Sequence, residues 1–262
     1  MLLAVPNVSE GRDTAALRAI GAAFGPGLIH SSADADHHRA VFTLQGEPGA
    51  LADAVVAGAR EAVERIDLRA HEGVHPRVGA VDVAPIVFLD AADRGAACAE
   101  ALVLADRLGH ELGLPVYLYG ALAGGRTRAE LRRPGGLDGL VPDAGPHRLH
   151  PTAGATLVAA RPPLAAFNVE IDAPLATAKR IAQELRTTLP GVKALGLELR
   201  SAGTTQVSTN VEDLTLTTPG DVVRAVRRHA PVTGAELVAP APASAFGSFP
   251  PDVPLRGAPL LP

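Results

Sequence analysis

The stretch His71-Glu72-Gly73-Val74-His75-Pro76-Arg77 crowds two imidazoles, a carboxylate and a guanidinium together. Two chemistries suit those residue types. The first is zinc ligation, since His71-Glu72-x-x-His75 satisfies the H-E-x-x-H pattern. That pattern brings both imidazoles to one face only on a helix. Gly73 disfavours helix by about 1 kcal/mol against alanine, and Pro76 pushes His75 out of the α region. No third ligand is specified, so the expected metal content is none. The second chemistry is proton transfer. Pro76 holds His75 extended, where an imidazole can take or give a proton near neutral pH. Arg77 can hold a carboxylate through two hydrogen bonds, and Gly79 lets the chain turn into the next segment.

Two further stretches carry polar groups in loops. "ADADHHR" supplies Asp34, Asp36, His37, His38 and Arg39. Adjacent histidines on an extended segment point opposite ways, which argues for an aspartate turn with one functional carboxylate rather than a shared ion. Residues 120–152 form the other, a long Gly/Arg/Pro-rich loop. A loop of that length is rare in a domain unless it serves a function. "RTRAELRR" within it reads as a solvated helix face.

The elements that must position these groups are legible in the hydrophobic pattern. "LLAVPN" is a short apolar run stopped by Pro6. Leu17, Ile20 and Phe24 recur at helical spacing after Asp13. "LIHSS" and "RAVFTLQ" read as strands around the "ADADHH" loop. Leu51, Val55, Ala59, Ala62, Val63 and Ile66 form one face of a helix. "VDVAPIVFL" follows as a buried strand, then a helix over 91–113 and the strands "PVYLYG" and "GATLVAAR". In the second half "AFNVEID", "VKALGLELR", "TQVSTNVED" and "AELVAP" are strands. Helices start at Asp172 with Pro174 and at Thr218 with Pro219. The order is β-α-β-β-α-β, the split βαβ or ferredoxin-like arrangement. The first half shows a similar order with an added helix and strand. The expectation is therefore an α+β chain of two sandwich subdomains, residues 1–162 and 163–240, with a ligand cleft between them. A Pro-rich tail over 241–262 is expected to be extended and partly ordered.

Composition narrows the class. A chain of 262 residues can bury a full core, and 47% hydrophobic with 20% charged residues is globular composition. Aromatics make up 3% with no Trp, so small aliphatic residues must fill the interior. A net charge of −4 gives no broad basic surface for nucleic acid. Cys98 has no partner for an internal disulfide. The N-terminus shows neither a signal-peptide pattern nor a membrane-length apolar run, which points to the cytoplasm.

"VPNVSEGR", "IDLRAHEGVHPRVGAVDVAPIVF", "LPVYLYG", "AFNVEID" and "QVSTNVED" together resemble the formiminotransferase domain of formiminotransferase-cyclodeaminase and the stand-alone bacterial glutamate formimidoyltransferases. The resemblance runs from about Val5 to about Val238, in the family's order. The chain ends where the family's transferase part ends, so the helical cyclodeaminase part is expected to be absent. The resemblance implies transfer of a formimino group between N-formimidoyl-L-glutamate and tetrahydrofolate in histidine breakdown. It implies two ferredoxin-like subdomains with folate in a tunnel between them, a homodimer, and tetrahydrofolate as co-substrate.

Residue by residue, the resemblance makes His75 the catalytic histidine and His71 a positioning one. The family's carboxylate beside that histidine falls on Asp34, with Asp36 as rival. Its folate segment falls on Gly145, Pro146, His147, Arg148, Leu149, His150, Pro151, Thr152, Ala153 and Gly154. Asn7, Arg39, Arg77 and Gly79 are further pocket residues, and Arg77, Arg39 or Arg148 would hold substrate carboxylates. Ala153 stands where mammalian members have Trp, and His38-Arg39 where the family has Asn-Arg. These departures leave an alternative: a folate-binding relative without this activity, or a transferase of formyl groups.

Overall fold

A computed structural model describes residues 1–199 and 202–262. The chain divides into two units, Met1–Pro162 and Pro163–Pro262.

The first unit opens with one extended segment that Pro6 interrupts, giving β1 (Leu2–Ala4) and β2 (Asn7–Val8). Asp13 then caps α1 (Thr14–Ala23), its carboxylate accepting from the Ala15 and Ala16 amides. β3 (Leu28–Asp34) and β4 (Arg39–Gly46) form a hairpin around the polar loop. α2 (Leu51–Arg65), β5 (Val81–Phe88), α3 (Arg94–Leu112), β6 (Val116–Leu118), α4 (Arg128–Arg132) and β7 (Thr156–Arg161) complete the unit. β3, β4, the β1/β2 segment and β5 pair antiparallel in that order, and β7 then β6 continue the sheet parallel to β5. A strand in the middle of such a sheet is covered on both faces, which is why β5 is an almost unbroken apolar run. Residues of all three long helices share one core with the sheet, through Ile20, Phe24, Val55, Ala59, Leu104 and Leu108. A smaller core contains Val83, Tyr117, Tyr119, Leu157 and Leu131 of α4.

β5 contains an irregularity. Val83 stands opposite Asn7, but Val81 stands opposite Val8. Asp82 is therefore the extra residue of a β-bulge. Bulges bend a strand and re-aim a side chain. Here the bulge accompanies a switch: Val81 joins the large core and Val83 the small one.

The second unit runs β8 (Ala165–Ile171), α5 (Leu175–Thr188), β9 (Val192–Leu199), β10 (Thr204–Val211), α6 (Pro219–Arg227) and β11 (Val232–Leu237). This is the expected β-α-β-β-α-β order, with β11-β8-β10-β9 as antiparallel neighbours. Thr218 and Asp221 form a reciprocal capping box at α6, with Pro219 at the first helical position. α5 begins later than the expected Asp172 cap, at Leu175, and Pro174 occupies the cap position without a side-chain bond. Arg200, expected to end β9, lies outside the described residues.

The terminal segment departs from expectation. It contains β12 (Ala241–Pro242), β13 (Leu255–Gly257) and β14 (Leu260–Leu261), and β13 extends the second sheet parallel to β11. Ala241, Ala245, Phe246 and Val253 are buried in the second core. The Phe246 and Phe249 rings pack edge-on against Phe167, with centroids 6.5 and 6.0 Å away. Proline content suggested a free extended tail, but the two phenylalanines supply the apolar area that docks it. The segment belongs to the second unit rather than standing apart from it. Among the described residues no helix is long and apolar enough to cross a membrane.

Phe246→Ala is expected to lower the unfolding free energy by about 3 kcal/mol, the usual range for a buried phenylalanine. Urea denaturation followed by circular dichroism measures it. A free tail would leave the midpoint unchanged.

Candidate active site

Two of the polar stretches meet through backbone hydrogen bonds. The Ala155 amide donates to the Val78 carbonyl at 3.0 Å, and the Ala80 amide donates to Ala153 at 2.8 Å. The Leu68 amide reaches Thr152 at 2.8 Å, just before the histidine stretch begins. Gly79 lies opposite Gly154 in this zip. A methyl group at Gly79 would sit 1.7 Å from the Ala155 carbonyl oxygen, so only glycine allows the approach. Gly154 has φ +68, and a Cβ there would lie 2.3 Å from the Val78 oxygen. The sequence reading placed both glycines in the pocket. Their role here is to let the two segments touch.

The third stretch joins from the other side. The His71 Nε2 meets the His38 carbonyl at 3.0 Å, and His38 Nδ1 meets the Glu72 carbonyl at 2.8 Å. The two rings stack with centroids 3.9 Å apart. His38 takes a positive φ of 49°, uncommon for a non-glycine residue though histidine is among the types that adopt it more readily. Its Nε2 lies 3.2 Å from Glu10, whose carboxylate also accepts from the amides of Gly11, Arg12 and Asp13. Those amides hold the Glu10 carboxyl below its ordinary value, against the effect of its burial.

His75 is half-buried. Its Nδ1 lies 2.7 Å from the Pro76 carbonyl oxygen. A carbonyl only accepts, so this contact places the proton of the neutral ring on Nδ1 and leaves the Nε2 lone pair for chemistry. Burial first, then Arg39 and Arg132, push the imidazole well below its usual value, with Asp82 opposing them. The ring is therefore neutral at physiological pH. The His37 ring is its aromatic neighbour, with centroids 6.1 Å apart.

Beneath it lies the most buried charge of the unit. Asp82 has 0% exposure. Arg39 Nη1 donates to its Oδ2 at 2.5 Å, Arg132 Nη2 donates to the same oxygen, and the Val78 amide reaches Oδ1 at 2.8 Å. Arg39 is held in turn by Asn7, whose Oδ1 accepts from Nε at 3.1 Å and Nη2 at 2.7 Å. Burial alone would raise the Asp82 carboxyl. Arg132 and Arg39 outweigh it and hold the group far below the carboxylate range. Burial likewise draws Arg39 down from its usual value, with Asp82 opposing.

The expected site residues divide accordingly. Asn7, Arg39, His75, Arg77 and Gly79 converge on this cluster. Arg77 Nη2 donates to the Gly73 carbonyl at 2.9 Å, and Asp82 acts on its charge. The Asp34 carboxylate accepts from the His37 amide at 2.7 Å, forming the turn that carries His37, and makes no hydrogen bond to His75. Asp36 accepts through its backbone from the Val74 amide at 3.3 Å. In the last stretch Pro146, His147, Arg148 and Leu149 are exposed. His150 Nδ1 accepts from the Ala153 amide at 3.0 Å and shapes the turn through Pro151 and Thr152. Ala153 is fully buried in the first core, so it offers no stacking surface. Gly145, at φ +82, packs beside Leu114.

Sequence reading missed Asp82, Glu10 and Arg132. A carboxylate inside "VDVAPIVF" was the available signal, because a buried charge must be paired. Arg132 was assigned to a solvated helix face. α4 instead buries Leu131 and turns Arg132 inward, leaving its side chain 12% exposed.

Residues 1–161 match the family model described as formiminotransferase domain, N-terminal subdomain. The chain belongs to the formiminotransferase family. The match ends one residue short of the first unit's boundary, and every candidate residue lies inside it. A protein of Streptococcus pyogenes named glutamate formimidoyltransferase is 35% identical, across 92% of this chain and 89% of its own. Thermoplasma acidophilum has a protein of the same name, 33% identical across 79% of this chain and 75% of its own. The formimidoyltransferase-cyclodeaminase of Rattus norvegicus is 36% identical, and this formiminotransferase-family chain spans 50% of its length. Among the described residues, no group of three His, Cys, Asp or Glu could hold a metal ion.

Asp82→Asn leaves two buried guanidiniums against a neutral amide. Breaking a buried ion cluster in this way is expected to cost about 3–5 kcal/mol at pH 7, read by urea denaturation. The wild-type carboxyl is depressed on folding. Its contribution is therefore complete above the unfolded value near 4 and is lost as pH falls below it. The variant's stability should be correspondingly less sensitive to acid over that window.

Proposed function

We propose that this chain is a glutamate formimidoyltransferase that moves a formimino group between N-formimidoyl-L-glutamate and tetrahydrofolate. The observation that carries the reading is His75 with its Nδ1 committed to Pro76, on a segment zipped to the folate-segment candidate. The names of the relatives that match most of this chain support the substrate pair.

The residues suit the reaction. N5 of tetrahydrofolate attacks the amidine carbon, a tetrahedral species forms, and glutamate leaves through its nitrogen. His75 Nε2 takes the proton from the attacking nitrogen and returns it to the departing one. The resting ring must be neutral to act as base, and the arginines beside it favour that state. Asp82 provides a negative charge that offsets the imidazolium while it exists. Asp34 serves by holding the turn that sets His37 beside His75. The exposed stretch Pro146 to Leu149 is the folate-facing part, with Arg148 available to a folate carboxylate. A cytoplasmic homodimer, implied by resemblance alone, belongs to the same proposal.

A spectrophotometric assay with tetrahydrofolate and N-formimidoyl-L-glutamate, repeated with N-formyl-L-glutamate, tests the reading. Transfer from the formimidoyl donor is expected, and its absence sinks the proposal. His75→Ala should lose about 10²–10⁴ in kcat/KM while the circular dichroism spectrum is unchanged. The acid limb of the kcat/KM profile should fall below pH 6.5, the ordinary imidazole value, since His75 is lowered from there. A limb above that value would contradict the assignment of His75 as base.

A further inference from the structure

The cluster under His75 carries unequal charge. Two guanidiniums, Arg39 and Arg132, share the single carboxylate of Asp82. Arg128 and Arg77 lie near enough to act on Arg39 and Asp82 respectively, or to be acted on by them, so the surroundings add further positive charge. The two central arginines differ in how they are satisfied. Arg39 has all three nitrogens engaged, on Asn7 and Asp82. Arg132 donates only through Nη2, and its Nε is buried without a hydrogen-bond partner among the described residues. A buried donor left unpaired costs free energy, and a net positive charge in a desolvated place attracts an anion.

We infer that Arg132 is the residue that binds one carboxylate of the amino-acid donor, with Asp82 and Arg39 positioning its guanidinium beside His75. Resting on the transferase reading above, the inference adds which arginine recognises glutamate and why the site needs two arginines for one aspartate. Asp82 is too buried to meet substrate, and Arg39 has no nitrogen to spare. Arg132 reaches the cluster from α4, whose start is fixed by the Thr127–Glu130 capping box and whose Leu131 is anchored in the small core. Its guanidinium is thus set before the donor arrives, and a planar fork pairs a carboxylate more specifically than an ammonium does.

The test uses three donors: N-formimidoyl-L-glutamate, its side-chain amide N-formimidoyl-L-glutamine, and its α-amide N-formimidoyl-L-isoglutamine. Wild type should disfavour at least one amide by about 10- to 100-fold in kcat/KM, the scale of one charged hydrogen-bonded contact. Arg132→Met should raise KM for the glutamate donor by a similar factor, leave KM for tetrahydrofolate unchanged, and abolish the discrimination against that amide. Arg132→Lys keeps the charge opposite Asp82 and guards against loss of folding; it should retain weakened discrimination. Variants that reject the amides as strongly as wild type overturn the inference while the transferase reading stands. Absence of transfer in wild type overturns that reading instead.

Discussion

The architecture of the site turns on one desolvated carboxylate. Removing Asp82 from water costs several kcal/mol, and the chain answers with two guanidiniums and a backbone amide. Each answer recruits a different part of the first unit. Arg39 comes from the start of β4, Arg132 from the end of α4, and the Val78 amide from the histidine stretch. Asn7, at the break in the first strand, steadies Arg39. A single buried charge thus brings four distant sequence segments to one point. The bulge in β5 is what frees that carboxylate from the apolar alternation around it.

The same cluster sets the electrostatics above it. His75 is buried against more positive than negative charge, and both effects lower its pKa well below the ordinary imidazole value. Meanwhile its Nδ1 is tied to a backbone oxygen one residue away, a contact that depends on no distant element. Protonation state and tautomer are governed separately, the first by burial and then the arginines, the second by the Pro76 peptide. The double-glycine contact fastens this histidine to the segment that turns through His150, so the two share one hydrogen-bonded frame.

Much of this was legible in the letters. Pro76 and Gly73 were enough to rule out a helix over the histidine stretch, which the structure draws as a loop. Periodicity gave the long helices, and Thr218-Pro219 marked the start of α6. Density of polar side chains drew attention to the histidine and aspartate stretches, and the resemblance to Gly145–Gly154, which backbone hydrogen bonds and ring stacking bring together. What remained hidden depended on register and on distant contact. Alternation along "VDVAPIVF" gives no sign of a bulge, so Asp82 passed as one residue of a strand. The inward turn of Arg132 depends on Leu131 finding a second, minor core, which local charge patterning does not reveal. The resemblance paired Asp34 with His75, with Asp36 as rival, and sequence alone does not say where a carboxylate points: the Asp34 side chain accepts from the His37 amide. The tail was misjudged because proline content outweighed two phenylalanines in the reading.

The Pro76 contact has a temporal consequence. A histidine that accepted a proton at one nitrogen and released it from the other would end each cycle as the opposite tautomer, and would have to relay a proton or rotate its ring before starting again. In the role proposed for His75, Nδ1–H stays anchored and the proton enters and leaves at Nε2 alone. The group returns to its starting form the moment the product nitrogen is protonated, and the forward and reverse directions of transfer begin from the same resting state.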